Sequence, residues 1–401
     1  MPYLLYTKLY YKSVQLTFGI FEVTMNMSDD AVYVRGLRNV AACRTRISFV
    51  DPLGALYYSG YDIDRLIGRV CFEEVVHLLL YNKLPNKSEL SDIRSTLISE
   101  MKLPKPIITC LRRAHKNSHP MESIRTAISY LGEYDSNHES KSEAANKQRA
   151  LKLIAKVPTI VADLYRVRNK QELISPKKEY GFAENFLYMF RGKPADAEEK
   201  DALDRFMILH ADHGLNASTF AARVTAGTLS DMYSAITSAV GTLRGKLHGG
   251  ASERVMSMLL DVDNLGEVEA YIQGMLFDGN KIMGFGHRIY MAEDPRSRHL
   301  RKIGKALCQR IDRIDLYRKC RRIQDVVHKE RKIYPNVDFY AALVLNALGV
   351  PKEFFTPFFA SSRIVGWTAH ILEQYSDSIL IRPTSTYLGA YGTKFVSIKK
   401  R

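Results

Sequence analysis

Apolar residues recur at intervals of three and four along most of this chain, a spacing that is typical of amphipathic helices. One such apolar face follows Gly60 and consists of Phe72, Val75, Val76, Leu79 and Leu80. The same period continues to about residue 280 and predicts further helices over 89–101, 121–131, 150–167 and 182–190. Because so much helix leaves little room for an extended sheet, the sequence predicts an all-α fold.

Three stretches depart from this period. Residues 47–61 combine alternating apolar residues with turn residues, which predicts short strands near the N-terminus. Residues 133–148 are polar, and we expect a loop there. Pro158 is expected to kink or interrupt its helix, because proline has no backbone N–H to donate.

The chain has 401 residues, enough for a large core and two domains. No apolar run is long enough to span a bilayer. Residues 1–24 lack the basic start and the small-residue cleavage site of a signal peptide, and we interpret them as an N-terminal extension. The five cysteines form no CxxC pair, and their odd number indicates free thiols in a reducing cytoplasm.

The net charge of +15 is the one unusual feature of the composition. Such a charge is compatible with binding nucleic acid, a membrane surface or anionic small molecules. The basic residues are spread along the chain, and no aromatic-interleaved RNA motif or dominant basic helix is present. This distribution favours attraction of polyanionic small molecules over nucleic-acid binding, and a merely soluble basic surface is the simplest alternative.

A short stretch, 284–296, carries two glycines, a histidine and an arginine that follows an Asp-Pro turn. Glycines let the backbone approach a ligand closely. His287 can hydrogen-bond a carbonyl oxygen, and Arg296 can hold a carboxylate with two donors. The stretch is therefore typical of a site for a small oxo-acid, although a solvated turn with incidental side chains has the same pattern.

Two further histidines occupy comparable settings. His213 precedes a predicted helix, 217–239, whose small residues allow close helix packing. A neutral histidine that donates to an anion fits this place better than a metal ligand, since no Cys or Glu completes a known metal spacing. His248 lies between glycines, where it is either a ligand-binding residue or an incidental part of a turn.

One carboxylate and two arginines complete the candidates. Asp338 stands at the head of an apolar helix, either as its N-cap or as a general base. Arg363 and Arg382 lie in apolar runs, where an arginine needs an ion pair or a ligand. Together with the histidines, the set suits carbon–carbon bond formation: a carboxylate removes a proton, histidines stabilise oxygen anions, and arginines hold a dicarboxylate.

Several segments strongly resemble the citrate synthase family, in the type found in archaea and Gram-positive bacteria. Their order and spacing match from about Tyr33 to Gly389. The most specific are LHADHGLNASTFAARV, TLSDMYSAITSAVGTLRGKLHGGASERVM, GFGHRIYMAEDPR, NVDFYAALVLNALGVP and FFTPFFASSRIVGWTAHILEQ.

The resemblance implies a nearly all-α homodimer with two domains in each subunit. The large domain would comprise residues 25–249 and 350–401, and the small, mobile domain residues 250–349. The family's reaction condenses acetyl-CoA with oxaloacetate and water to give citrate and CoA, as in the tricarboxylic acid cycle. No permanently bound cofactor or metal is implied, and acetyl-CoA serves as co-substrate.

The resemblance also assigns roles to seven residues. Asp338 would remove the methyl proton of acetyl-CoA, and His248 would donate to the enolate oxygen. His287 would donate to the carbonyl of oxaloacetate. The remaining oxaloacetate-binding residues would be His213, Arg296, Arg363 and, from the partner subunit, Arg382.

Some positions depart from the family pattern, among them Met291 and Thr384, where the family usually has cations. We expect their loss to raise the KM for acetyl-CoA. The alternative activity is 2-methylcitrate synthesis from propionyl-CoA, because one methylene changes binding by only about 1–3 kcal/mol. A remote alternative is an inactive basic protein that scaffolds or binds nucleic acid. Residues 1–32 are too short for the N-terminal domain of NADH-controlled relatives, so we expect no such allosteric control.

Overall fold

The computed structural model describes residues 33–136 and 140–401. The predicted N-terminal extension, 1–24, lies outside them. The described part is mostly helical, with one small sheet. In this sheet β1 (Ser48–Asp51) pairs antiparallel with β2 (Ala55–Tyr58), and β2 pairs antiparallel with β3 (Tyr61–Asp62). The all-α prediction with minor strands near the N-terminus is confirmed.

The described residues form sixteen α-helices. In chain order these are α1 (Ile63–Leu66), α2 (Phe72–Tyr81), α3 (Lys87–Glu100), α4 (Lys105–Arg113), α5 (Pro120–Leu131), α6 (Glu143–Arg168), α7 (Phe182–Arg191), α8 (Ala197–His210), α9 (Ala217–Gly227), α10 (Met232–Leu243), α11 (Ala251–Leu260), α12 (Val268–Phe277), α13 (Pro295–Arg310), α14 (Ile314–Arg331), α15 (Val337–Ala347) and α16 (Phe355–Asp377). Short 3-10 turns occur at Arg35–Leu37, Gly132–Tyr134, Leu265–Glu267, Lys352–Phe354 and Ile398–Lys400.

Two predictions about α6 are corrected by the structure: Pro158 does not interrupt the helix, and the loop before it is shorter than expected. The helix runs without interruption through Pro158, which is itself buried. Packing on both sides of the helix outweighs the one backbone hydrogen bond that proline removes. The predicted loop is too long, because α6 begins at Glu143, where the Ser142 side chain accepts a hydrogen bond from the N–H of Ala145 at 3.2 Å.

The predicted small-residue helix after His213 is two helices, α9 and α10. The chain turns at Leu229, whose φ of +61° is in the left-handed region. Asp231 then caps α10 by accepting a hydrogen bond from the N–H of Ser234 at 2.9 Å. The two helices pack closely against each other, as their small residues predict.

Helix α16 lies at the centre of the core. Every residue from Phe355 to Ile371 is buried, so the helix is surrounded on all sides. It packs against α6, α8, α9 and α10. Polar residues on such a helix are costly to bury and must find partners within the protein. Arg363 and His370 are of this kind.

The chain divides into two compact units. The larger comprises residues 43–381 and contains the sheet and all the α-helices. Within it, α11 packs against α15, α13 packs against α14 and α15, and α12 packs against α14. The smaller unit has 33–42 and 382–401 as its described residues.

None of the helices in the described ranges is long and apolar enough to cross a membrane. The five cysteines carry free thiols. Cys308 and Cys320 are fully buried, and burial raises the pKa of both thiols.

Candidate active site

Two loops are joined by backbone hydrogen bonds at the centre of the site. The N–H of Gly286 donates to the carbonyl of Tyr334 at 2.9 Å, and the N–H of Asn336 donates to that of Gly284 at 2.8 Å. Gly284 has a φ of +81°, and a Cβ there would lie 2.9 Å from the Cβ of Phe339. Only glycine fits both constraints. The pairing brings the loop of His287 to the start of α15.

The proton of His287 can be placed from its hydrogen bonds. Its Nδ1 accepts from the N–H groups of Ile289, at 3.0 Å, and Tyr290, at 2.9 Å. A neutral imidazole that accepts at one nitrogen carries its proton on the other, here Nε2. Burial, aided by the charge of Arg296, lowers the pKa of His287 to about 4. His287 is therefore a neutral donor near pH 7.

His213 lies beside it. The two rings are 5.2 Å apart between centroids, and Nε2 of His213 is 3.2 Å from the hydroxyl of Tyr290. Burial, followed by the charge of Arg296, lowers the pKa of His213 well below its usual range. The lowered pKa agrees with the neutral histidine that the sequence predicts at this position.

Arg296 is buried and is held by Asp294, the N-cap of α13. Its Nε donates to Oδ1 at 3.0 Å and its Nη2 to Oδ2 at 2.7 Å. Burial opposes the charge, but Asp294 raises the pKa of Arg296 above its usual range. Asp294 also accepts the N–H of Val337 at 3.1 Å. One carboxylate thus fixes the arginine and ties α13 to the start of α15.

Asp338 lies in the first turn of α15 but is not its N-cap. Asn336 takes that role, accepting the N–H of Asp338 at 3.1 Å. The side-chain oxygens of Asp338 accept no hydrogen bond within the described part of the chain. Burial raises the pKa of Asp338 to about 6, although Arg296 and Arg363 oppose the shift. A free carboxylate with this pKa is suited to act as a base near neutral pH.

His248 follows the C-terminus of α10, where the N–H of Gly249 donates to the carbonyl of Leu243 at 2.8 Å. Its Nε2 lies 3.3 Å from the N–H of Ser218 and 2.8 Å from the hydroxyl of the same residue. Because the backbone N–H can only donate, Nε2 accepts and Nδ1 carries the proton. Burial, followed by the charge of Arg363, lowers the pKa of His248 to about 4.

Arg363 is the second buried arginine. Its Nε donates to the carbonyl of His210 at 2.7 Å, and the guanidinium lies 4.7 Å from the ring centre of Phe359. Its Nη2 is buried and has no hydrogen-bond partner among the described residues. Burial lowers the pKa of Arg363 to about 10. A cation with a free, buried donor is prepared for an anionic ligand.

Six of the seven predicted side chains thus lie within the larger unit, where the charges of Arg296 and Arg363 shift the pKa of their neighbours. Arg382 differs from them. It belongs to the smaller unit and is exposed.

The sequence did not single out four supporting residues: Ser218, Tyr290, Asp294 and Asn336. Asp294 could have been found, since an Asp before Pro is a common N-cap signal and an arginine follows two residues later. Ser218 could not, because it lies 30 residues from His248 in the chain.

A large open cavity, about 1050 Å³, lies elsewhere, along α4, α5 and α10. Its lining includes Lys105, Arg113, Tyr130 and Thr237, and none of the predicted site residues. Size alone would direct attention there. The candidate site is identified instead by its converging donors, its free carboxylate and its buried cations.

Comparisons with known proteins agree with this chemistry. The family model described as "Citrate synthase, C-terminal domain" matches residues 36–384. The chain is 46% identical over 368 residues to citrate synthase 2 of Bacillus subtilis, covering 92% of this chain and 99% of that protein. It is 39% identical over 371 residues to the citrate/2-methylcitrate synthase of the same organism, covering 92% and 100%.

A solved structure is also similar. It is a ternary complex of citrate synthase from Thermoplasma acidophilum with carboxymethyl-coenzyme A and oxaloacetate. The TM-score is 0.87 at 32% sequence identity, over 92% of this chain and 99% of that one. Family model, sequence relatives and fold agree over nearly the same residues, and this chain belongs to the citrate synthase family.

Proposed function

We propose that this chain condenses acetyl-CoA with oxaloacetate and water to give citrate and CoA. The chain is an enzyme of the acyltransferase class to which its family belongs. The observation that supports the reaction most strongly is a carboxylate without a hydrogen-bond partner among the described residues, Asp338, whose pKa is raised by burial and also influenced by both Arg296 and Arg363. Besides burial, the same two arginines help to lower the pKa of the candidate donors, Arg363 that of His248 and Arg296 that of His287. The reaction needs no resident cofactor, and acetyl-CoA is a co-substrate.

In the first step, Asp338 takes a proton from the methyl group of acetyl-CoA. The electron pair of the broken C–H bond moves toward the thioester oxygen. Nδ1–H of His248 donates a hydrogen bond to that oxygen, which lowers the energy of the enolate. The low pKa of His248 keeps the ring neutral, so it donates without carrying a full charge.

In the second step, the new carbon nucleophile attacks the keto carbon of oxaloacetate. Nε2–H of His287 donates to the keto oxygen as negative charge develops there. His213, Arg296 and Arg363 hold the substrate, and the unpartnered Nη2 of Arg363 is available to one of its carboxylates. Water then hydrolyses the citryl thioester, which releases citrate and CoA.

We further propose the two-domain arrangement with residues 250–349 as the small domain. Helices α11 to α15 fall within these bounds and make several contacts with one another. His248 stands just before this segment and His287 and Asp338 lie inside it, so movement of the segment would bring the catalytic groups together and exclude water.

Two further proposals concern assembly and location. We propose a homodimer in which Arg382 contributes to the active site of the partner subunit. A cytoplasmic location is supported by the five free thiols.

The alternative substrate is propionyl-CoA, giving 2-methylcitrate. It is supported by the 39% identity to a relative named as a citrate/2-methylcitrate synthase. The same base and donors serve both substrates, and the pocket that receives the extra methyl group decides the ratio.

The test is CoA thiol release with oxaloacetate, comparing acetyl-CoA with propionyl-CoA. A kcat/KM well in favour of acetyl-CoA supports citrate synthesis, and a preference for propionyl-CoA supports the alternative. No thiol release with either substrate would contradict the proposed function. Steeply salt-dependent DNA binding by such an inactive protein would favour the basic scaffold instead.

A further inference from the structure

A chain of fully buried polar side chains runs behind His213 and Arg363. Nη1 of Arg223 lies 3.1 Å from Nδ1 of His370, and Nε2 of His370 lies 3.3 Å from Oδ2 of Asp212. A guanidinium has no acceptor, so Nδ1 of His370 must accept. The ring proton is then on Nε2 and is donated to Asp212. His370 is thus a neutral bridge between a cation and an anion.

Asp212 is held by several further bonds. Its Oδ2 accepts the hydroxyl of Ser48 and the N–H of Gly214, the latter at 3.1 Å. Its backbone carbonyl accepts the hydroxyl of Tyr58 at 3.0 Å. Its other carboxylate oxygen, Oδ1, faces Gly366 on α16, where a Cβ would lie only 2.2 Å away. The carboxylate has little freedom to turn.

The turn that carries Asp212 also positions both groups that are proposed to bind the substrate, Arg363 and His213. The carbonyl of His210 accepts Nε of Arg363, and His213 directly follows Asp212. No ion pair joins Asp212 to Arg363 in the described ranges, although Asp212 is the charge that most strongly supports the buried guanidinium. Asp212 therefore compensates the charge of Arg363 from a distance and leaves its Nη2 free.

We propose that Asp212 and His370 are positioning residues for the dicarboxylate substrate. His370 holds the Asp212 carboxylate on its Ser48 side, away from the free Nη2 of Arg363, and fixes the turn that presents His213. This inference rests on the proposed function, which assigns oxaloacetate to those two residues. If the network only stabilised the fold, disrupting it would weaken the binding of oxaloacetate and of acetyl-CoA alike.

The test compares His370→Leu with His370→Gln. Titration calorimetry gives the Kd for oxaloacetate, and steady-state kinetics gives the KM for each substrate. Hydrogen bonds to charged groups are worth about 1.5–3 kcal/mol, so His370→Leu should weaken oxaloacetate binding about ten-fold or more. The KM for acetyl-CoA should stay within about two-fold. The glutamine amide can still donate to Asp212, and its Kd should stay within about three-fold of wild type.

Two further variants keep the test decisive. Ser48→Ala removes one donor to Asp212 and little volume, and should weaken oxaloacetate binding about three-fold even if His370→Leu does not fold. His77→Leu is the matched control, since His77 is also buried but bonds the carbonyl of Lys83. It should leave the Kd for oxaloacetate unchanged.

The inference is overturned if His370→Leu and His370→Gln behave alike, or if binding of both substrates weakens equally. An unchanged Kd in Ser48→Ala would also count against it. Because the Kd does not depend on turnover, a wild-type protein that binds oxaloacetate without releasing CoA would contradict the proposed function alone.

Discussion

At the residue scale, the site depends on where protons reside on three groups. His248 and His287 each accept a hydrogen bond from backbone N–H at one nitrogen, which leaves the other as a fixed donor. Burial raises the pKa of Asp338, although the charges of two nearby arginines oppose this shift. The proposed base and the proposed donors are therefore all in the required protonation state near pH 7.

This arrangement predicts the acid side of the pH profile. Because Asp338 must be ionised, kcat/KM should fall as the pH drops through about 6. For a single group with this pKa, the ionised fraction falls from about 90% at pH 7 to about 10% at pH 5. The histidines, with pKa values of about 4, stay neutral over that range. A pH–rate profile whose acid limb lies near 4 would contradict the assignment.

A second residue-scale prediction concerns Met291, whose side chain is 74% exposed. Met291→Lys should lower the KM for acetyl-CoA by up to about five-fold, because an exposed charge pair with a phosphate contributes roughly 0.2–1 kcal/mol. The gain should shrink as ionic strength rises. Met291→Gln serves as the uncharged control. An unchanged KM for acetyl-CoA at low salt would contradict the expectation that the missing cation at position 291 raises this KM.

At the element scale, one face of α16 contacts residues 210–212 through Arg363, Gly366 and His370. Gly366 allows the closest approach, since its N–H donates to the carbonyl of Ala211 at 3.0 Å. The position of Arg363 therefore depends on a helix–turn contact that only a residue without a Cβ permits.

Gly366→Ala should accordingly destabilise the protein. The new Cβ would meet Oδ1 of Asp212 at 2.2 Å and the carbonyl of Ala211 at 2.5 Å. Overpacking of this kind costs about 1–3 kcal/mol, and we expect a lower melting temperature and weaker oxaloacetate binding. Gly274→Ala is the control, because a Cβ there meets nothing within 4 Å. It should stabilise its helix by about 0.5–1 kcal/mol. Equal melting temperatures for the two variants would contradict the packing argument.

Elements were more predictable than the contacts between them. The period of apolar residues predicted the bounds of α5 and α7 to within a residue, since each helix buries one regular face. The interruption expected at Pro158 does not occur, because packing holds the helix together there. The pattern of small residues missed the left-handed turn at Leu229 that separates α9 from α10. His370 was not found at all, because its bond to Asp212 spans 158 residues and leaves no local pattern.

At the scale of the whole molecule, the proposed homodimer gives Arg382 a role in the active site of the partner subunit. Its side chain is exposed in the smaller unit of the single chain. An arginine that serves a neighbouring active site would make dimer formation necessary for turnover.

Mixed dimers test this directly. Asp338→Asn and Arg382→Leu chains should each have very low activity alone. If Arg382 acts across the dimer, each heterodimer contains one intact site, and random mixing should restore about a quarter of the wild-type rate. Mixing the chains under conditions that prevent subunit exchange is the control. No recovery after exchange would place Arg382 in its own subunit's site or outside both.

The central claim is that Asp338 is the base of the condensation, and Asp338→Asn tests it most directly. The asparagine keeps the size of the side chain, so oxaloacetate should bind with a Kd within about two-fold of wild type. Loss of general-base catalysis should lower kcat for CoA release by about 10²–10⁴-fold. Asp325→Asn, on an exposed part of α14, should retain full activity. A kcat near the wild-type value in Asp338→Asn would contradict the account, whereas loss of kcat with binding retained is the result it predicts.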